Sequence, residues 1–340
     1  MSHQENIKKL ITNHSLRLQK LKEQQALEGF SSDPKILVEI ESIEATIEKL
    51  QIELKEVASE GNLKTQVNEI RPSNRKKETS ISTHLEDLNK LLGGGLQRGD
   101  LIIIAGRPQM GKSSLAKDFL VYAASNGENC LFFSLDKNDT QQVHRILASI
   151  SGIPVDRIRR GYMDDSEVEH LLKASSHLSN LPIFIDDTPG ITIKQIRNQS
   201  IQYCNEHNID LIVIDYLQLI SDDELQQVER RSFNPVKILK NLGRELNVPI
   251  ILVSHLGRAL ERRFDKRPIL SDLDDIIEAH ADVVLFIYRH DFYDPDTEYP
   301  NLAEIIVSKN RDGFTGAFPV YFKKHQGMFV DLEVKKLPPE

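Results

Sequence analysis

From about residue 85 onward, short apolar runs alternate with longer stretches of helical periodicity. The runs at 101–105, 130–135, 183–185, 211–214 and 250–253 are continuous rather than alternating, which suits strands covered on both faces. Helical stretches between them imply βαβ units and a mainly parallel sheet flanked by helices. Three further runs, at 283–288, 304–307 and 319–322, follow one another with only loops between them. They predict an antiparallel extension at the sheet edge.

Residues 1–60 carry a different pattern. Ile36, Ile40, Ile43, Ile47, Leu50, Leu54 and Val57 are spaced alternately four and three apart, a heptad seam on one helix. Asp33 and Pro34 supply an N-cap and a first-turn proline for that helix. Upstream, Ile7, Ile11, Leu18 and Leu21 repeat the spacing, with His14 as a polar interruption. Gly29, Phe30, Ser31 and Ser32 separate the two segments, so an antiparallel α-helical hairpin is expected. It reads equally as an adaptor or oligomerisation module and as a solvated hairpin packed on its own domain. Residues 61–84 contain Arg71, Arg75, Lys76 and Lys77 among few apolar positions and read as a basic linker. The third segment, 85–335, is the α/β domain.

Charge and composition narrow the picture. The 340-residue chain has a formal charge of −8, which argues against an overall coating of nucleic-acid affinity but allows a local basic channel. The hairpin has 8 Lys and Arg against 11 Asp and Glu, so it is not a basic DNA-binding arm. Cys130 and Cys204 are far apart, with no CxxC, and read as reduced thiols. The charged N-terminus is unlike a secretory leader, and no run reaches the ~18 apolar residues of a membrane span. A cytoplasmic location is expected.

The chemistry is concentrated at strand ends. Gly106, Arg107, Pro108, Gln109, Met110, Gly111, Lys112, Ser113 and Ser114 follow an apolar run and lead into a helical stretch. That is the strand, glycine-rich loop and helix of a P-loop. Its backbone donors form an anion site; Lys112 can reach the β- and γ-phosphates and Ser113 can ligate Mg²⁺. The expected ligands are ATP and Mg²⁺. Asp215, ending the run that begins at Leu211, is a candidate for the metal hydration shell. Asp136 ends another run, where a carboxylate can orient and deprotonate a water. Asp186 and Asp187 read as turn and support residues, and His255 as a strand-end donor toward the γ-phosphate. Lys309 and Arg311 lie two apart at a strand end and can stabilise phosphate charge.

Taken in order, these motifs resemble the C-terminal ATPase domain of DnaB-type replicative helicases, a RecA-like P-loop NTPase fold, from about 82 to 331. The resemblance rests on Arg107 to Lys112, Ile185 to Thr192, Ile214 to Leu219, Glu245 to Pro249, Asp265 to Pro268, Phe286 to Arg289 and Ala303 to Ile306. It implies homohexameric rings that hydrolyse ATP between subunits and draw single-stranded DNA through the centre. It further implies that Lys309 and Arg311 act in trans on a neighbour's nucleotide.

Four departures stand out. The hairpin takes the place of the family's N-terminal globular domain; it is weakly similar to hairpins fused to NTPases of bacterial conflict systems, and its partner is unknown. Asp136 stands where the family has Glu, and its carboxylate reaches about 1.5 Å less far. His255 stands where the family usually has Gln. The DNA-gripping loop, here Ser271 to Glu278, is shorter, lacks Arg and Gly, and carries Asp274 and Asp275, which repel phosphate. Arg258, Arg262, Arg263, Lys266 and Arg267 nearby remain as candidates for DNA contact. The expectation is an ATP-driven helicase or translocase; a regulatory or defence-associated ATPase with little unwinding is the alternative.

Overall fold

The apolar runs become neighbouring strands because their side chains bury on both faces of one sheet. A computed structural model describes residues 80–221 and 234–332, together with Leu10, Ser15, Arg17, Leu18, Lys22, Ile43, Thr46 and Lys49. The chain divides into two compact units, Met1–Lys77 and Glu78–Glu340. In the first unit every described residue is helical, and Ile43, a seam position, is buried. The other seam positions of the expected hairpin, and the linker up to residue 79, lie outside the described residues.

The second unit opens with β1 (Ser80–Ile81), which pairs antiparallel with β2 (Leu96–Gln97) around α1 (Glu86–Leu91). Ile81, Leu85, Leu88 and Leu96 are buried there. Residues 80–84, expected in the linker, are therefore tied to the α/β unit by their own apolar side chains.

The main sheet has nine strands. In chain order they are β3 (Leu101–Gly106), β4 (Cys130–Ser134), β5 (Ile183–Asp186), β6 (Leu211–Asp215), β7 (Ile250–His255), β8 (Val283–Arg289), β9 (Leu302–Asn310), β10 (Gly316–Lys323) and β11 (Met328–Asp331). Their spatial order is β11-β10-β9-β8-β3-β7-β6-β4-β5. The strands from β8 to β5 are parallel, and β9, β10 and β11 add an antiparallel edge. All eight expected strands are present; β11 is an addition.

Helices cover both faces: α2 (Lys112–Ser125), α3 (Asp139–Ser151), α4 (Val155–Arg160), α5 (Asp165–Ser179), α6 (Ile193–His207), α7 (Pro235–Leu246), α8 (Asp275–His280) and the single turn α9 (His290–Tyr293). The pleat of β3 explains the two layers. Ile102 and Ile104 pack in a cluster with Leu115 and Phe119 of α2. Leu101, Ile103 and Ala105 pack in the opposite cluster with Ile193 and Ile196 of α6 and Val236 and Leu239 of α7. Several helix starts are fixed by side-chain caps, including Asn138 on α3, Asp164 on α5 and Thr192 on α6. No helix among the described residues is long and apolar enough to cross a membrane. Cys130 and Cys204 are free; burial pushes both thiols up, Cys204 to about 11, so neither is poised to react.

The edge strand β11 is locked beneath α2. Asp118 is 6% exposed and accepts from the Phe329 amide at 2.8 Å, while Lys117, 3% exposed, donates to the Gly327 carbonyl at 3.0 Å. Lys117 and Asp118 also pair with each other at 3.4 Å. Phe329 is fully buried against Phe322, with ring centroids 4.5 Å apart. Phe329→Ala in the full chain is expected to cost about 3–5 kcal/mol of stability, read by urea denaturation; a loss below about 1 kcal/mol would show that β11 is not part of the cooperative core.

Candidate functional site

Parallel strands deliver their C-terminal ends to one edge, and the register decides which residues meet there. Gly106 lies opposite His255 across β3 and β7, and Ser134 lies opposite Asp215 across β4 and β6. A cleft of about 960 Å³ opens over that edge. Lys112, Ser113, Asp136, Asp215 and His255 all line it, as do Pro108, Gln109, Gly111 and Ser114.

The loop between β3 and α2 is shaped for an anion. Gln109 and Gly111 both have positive φ, at 67° and 101°. Gly111 is the N-cap of α2, makes no side-chain cap bond, and is followed by no acidic residue in the first turn. The first amides of a fourteen-residue helix therefore face the cleft without an internal acceptor at the cap, which is what a phosphate requires. A Cβ on Gly111 would lie 2.7 Å from the Phe329 ring, so the turn is sterically reserved for glycine.

Two expected loop ligands have other duties. Met110 is 1% exposed and belongs to the core cluster under α2, and the Arg107 guanidinium turns away to Glu261 at 2.7 Å and to the Leu256 carbonyl at 2.8 Å. Neither they nor Gly106 line the cleft. An apolar side chain next to a core edge and a guanidinium next to a carboxylate both take the nearer partner. From the other side Arg289, buried and paired with Asp291 at 2.7 Å, donates to the Gln109 carbonyl at 3.3 Å and holds the loop's far end.

The charged centre is desolvated. Lys112 is 5% exposed and its ammonium donates to the Arg107 carbonyl at 2.9 Å. Burial pushes its pKa down to about 8, against the pull of Asp215. Asp215 is 1% exposed, and burial raises its carboxyl, opposed by the Ser113 hydrogen bond and by the charges of Lys137 and Lys112. Ser113 Oγ donates to Asp215 Oδ1 at 3.0 Å, while Oδ2 is buried with no partner among the described residues. A hydroxyl bonded to a carboxylate with a spare buried oxygen fits the outer ligand set of a hydrated Mg²⁺.

Around this centre, Asp136 pairs with Lys137, and the two line the cleft together. His255 sits edge-on to Tyr216 with centroids 4.3 Å apart, and its Nδ1 is buried without a partner among the described residues. Burial, then the Lys112 charge, lowers its pKa, so the ring is neutral near pH 7 and keeps one donor and one acceptor. Gln218, which the sequence did not single out, bonds Ser254 Oγ at 3.0 Å and accepts from the His255 amide at 3.3 Å, linking β6 to the end of β7. Its only signal in the chain was its place just after an apolar strand. Asp186 accepts from the Thr188 amide at 3.0 Å and Asp187 from the Asp139 amide at 2.9 Å, the turn and support contacts expected of them.

Lys309 and Arg311 are not part of this cleft. Lys309 donates to the Glu278 carbonyl at 2.6 Å. Arg311, with a side chain 69% exposed, lies 3.6 Å from Asp282 in a separate recess with Arg98, Asp100 and Lys240. That recess is beside the start of β3, because Asp282 accepts from the Leu101 amide at 2.8 Å. The pair thus stands at the opposite strand ends from the phosphate loop.

The five candidate DNA contacts divide. Arg258 and Arg262 are exposed. Arg263 grips Asp272 with two bonds, at 3.0 and 2.7 Å. Arg267 grips Glu304 with two bonds, at 2.8 and 2.5 Å, and lies 4.8 Å over the Tyr288 ring; Lys266 lies 4.9 Å over Tyr293. Three of the five are thus engaged within the fold, since acidic and aromatic neighbours are within reach. In the altered loop, Asp274 caps α8 by accepting from the Ile276 amide at 2.9 Å, and Asp275 begins the helix.

Comparison with known proteins fits this geometry. The DnaB-like helicase C terminal domain family matches residues 80–331. The chain belongs to that family. The replicative DNA helicase DnaC of Bacillus subtilis (strain 168) is 39% identical over 270 residues, which span 76% of this chain and 58% of the relative. The replicative DNA helicase DnaB of Geobacillus stearothermophilus is 39% identical over 264 residues, 75% of this chain and 57% of the relative. The chain therefore spans little more than half the length of these curated relatives. Among solved structures, one isolated ATPase domain superposes with a TM-score of 0.70 at 29% identity, covering 81% of this chain and 98% of that one. A DnaB-like replicative helicase, described with its interactions with primase, gives 0.72 at 26% identity, covering 89% and 80%. The RecA-like α/β fold expected from the motifs is the fold observed.

Gly111→Ala tests the loop. A side chain at φ 101° facing the Phe329 ring is expected to cost about 1–3 kcal/mol and to weaken nucleotide binding. Urea denaturation and titration with a fluorescent ATP analogue check it; wild-type stability and affinity together would contradict the steric argument.

Proposed function

We propose that this chain is an ATP-hydrolysing motor that assembles into a ring, a hexamer by family precedent, and translocates on single-stranded DNA. The observation that carries the reading is the cleft where Lys112, the Ser113–Asp215 pair and the open N-terminus of α2 converge. Family membership supports the DNA-motor class; the cleft supports the chemistry.

In this reading the amides of the loop from Gln109 to Ser113 cradle the α- and β-phosphates, and Lys112 exchanges the Arg107 carbonyl for β- and γ-phosphate oxygens. Ser113 and Asp215 would hold Mg²⁺, which when bound neutralises charge on the bridging phosphate oxygens. Asp136 orients the attacking water and takes its proton. Neutral His255, held by Tyr216 and Gln218, donates toward the γ-phosphate. Lys309 and Arg311 act on the nucleotide of a neighbouring copy. Their separation from their own phosphate loop supports that assignment, because a ring places the strand-start edge of one subunit against the strand-end edge of the next. DNA contact then rests on Arg258 and Arg262, with Arg263, Lys266 and Arg267 holding the segment in shape. No membrane association is proposed.

A specific observation favours the second reading, a regulatory or defence-associated ATPase with little unwinding. The expected DNA loop has become the capped start of α8, with carboxylates in place of phosphate-binding groups. A forked DNA substrate separates the two. Hydrolysis stimulated by DNA, together with strand separation, is expected for the motor; hydrolysis indifferent to DNA, with no separation, leaves only the regulator.

Two substitutions test the site. Lys112→Ala is expected to abolish ATP turnover, in line with the loss of the ammonium that grips the terminal phosphates; full turnover would remove the phosphate-loop assignment. Arg311→Ala is expected to keep nucleotide binding within about twofold while lowering kcat by about 10³-fold or more. An equal loss of binding, measured with a fluorescent ATP analogue, would place Arg311 in its own subunit's site instead.

A further inference from the structure

Lys137 is the residue in the cleft whose placement the proposed reaction leaves unexplained. It follows Asp136 where β4 gives way to α3, and its ammonium pairs with the Asp136 carboxylate. The pair lines the same cleft as Lys112, Ser113 and Asp215. The Lys137 side chain is only 20% exposed, against 41% for Asp136, so the ammonium faces inward. An ion pair between adjacent residues in contact with water contributes little to stability, so it does not account for this placement.

The backbone at Lys137 is held with unusual care. Its carbonyl accepts from Ser134 Oγ at 2.5 Å, and Gln142 Nε2 donates to the same Ser134 oxygen at 2.8 Å. Ser134 and Gln142 are 2% and 3% exposed. The next residue, Asn138, caps α3 by accepting from the Gln141 amide at 3.0 Å. A buried serine–glutamine relay and a helix cap therefore fix the residue from both sides. Fixed geometry of this kind suits a group that must meet developing charge without reorganising.

We propose that Lys137 is a catalytic residue acting in cis: on ATP binding its ammonium passes from the Asp136 carboxylate to a γ-phosphate oxygen and stabilises that oxygen through hydrolysis. The inference rests on the ATPase reading above and deepens it. In the step, the water oxygen forms a bond to the γ-phosphorus while the bond from that phosphorus to the β–γ bridging oxygen breaks. The electron pair leaves with ADP. The water proton goes to Asp136, whose carboxylate is free to accept it because its lysine partner has moved to the phosphate. One ammonium thus shields the base in the empty site and releases it in the loaded one.

The test uses the full-length chain, with steady-state ATP hydrolysis, titration of a fluorescent non-hydrolysable ATP analogue, and a thermal melt. Lys137→Met and Lys137→Gln are expected to lower kcat by about 30-fold or more while KM, analogue affinity and Tm stay near wild type. Lys137→Arg, which keeps the charge, is expected to recover most of kcat. Wild-type kcat in the Met and Gln variants, a fall in affinity that matches the fall in kcat, or an Arg variant no better than Met would each overturn the inference. Lys112→Ala separates the two levels. If wild type turns over ATP and Lys112→Ala does not, the ATPase reading stands and the Lys137 result is judged alone. A wild-type chain with no ATP turnover overturns both.

Discussion

An ammonium and a carboxylate, both almost wholly removed from water, sit at the end of the central strands. Lys112 and Asp215 are 5% and 1% exposed, and burial disfavours the charged form of each. Such groups are tolerable only where the chain surrounds them with matched partners. Ser113 and the Arg107 carbonyl supply part of that match, and the spare Asp215 oxygen marks where it is incomplete. The parallel register, the glycine turn and the buried flank of α2 all serve to hold this unfinished polar set in place. Filling it with a polyanion and its counter-cation is the chemistry to which the fold is shaped.

The sheet then separates two kinds of cation. Lys112 and Lys137 are at the strand ends that carry the phosphate loop, and Arg311 is at the strand starts. A single copy cannot bring the two groups to one phosphate. A side-by-side arrangement of copies does so without moving any strand, which is why the reading of the isolated chain leads to an assembly.

Much of this was readable from residue order. Continuous apolar runs gave both-face burial, and Ile102, Ile104 against Leu101, Ile103 show it directly. The strand-loop-helix context placed Lys112 and Ser113, and strand-terminal acids placed Asp136 and Asp215 beside them. What residue order missed depended on contacts between distant segments. Ser80–Ile81 looked like the end of a linker because two residues are too few for a period; their partner, Leu96–Gln97, lies beyond an intervening helix. β11 escaped notice because Met328–Asp331 is short and its burial comes from α2. Arg263 and Arg267 read as free cations, since nothing local says that Asp272 and Glu304 will meet them. Arg107 and Met110 sit inside a loop motif that specifies backbone shape, so the motif carries no information on where those two side chains turn.

The contact between Gly111 and Phe329 joins positions far apart in the chain, and Asp118 and Lys117 fasten the same late strand. During synthesis the phosphate loop leaves the ribosome long before the ring that backs it. The turn can be shaped early, but its rear wall arrives only with the last described strand. A nascent chain is thus denied a finished nucleotide pocket until the entire α/β unit has been translated, so ordered binding is coupled to completion of that unit.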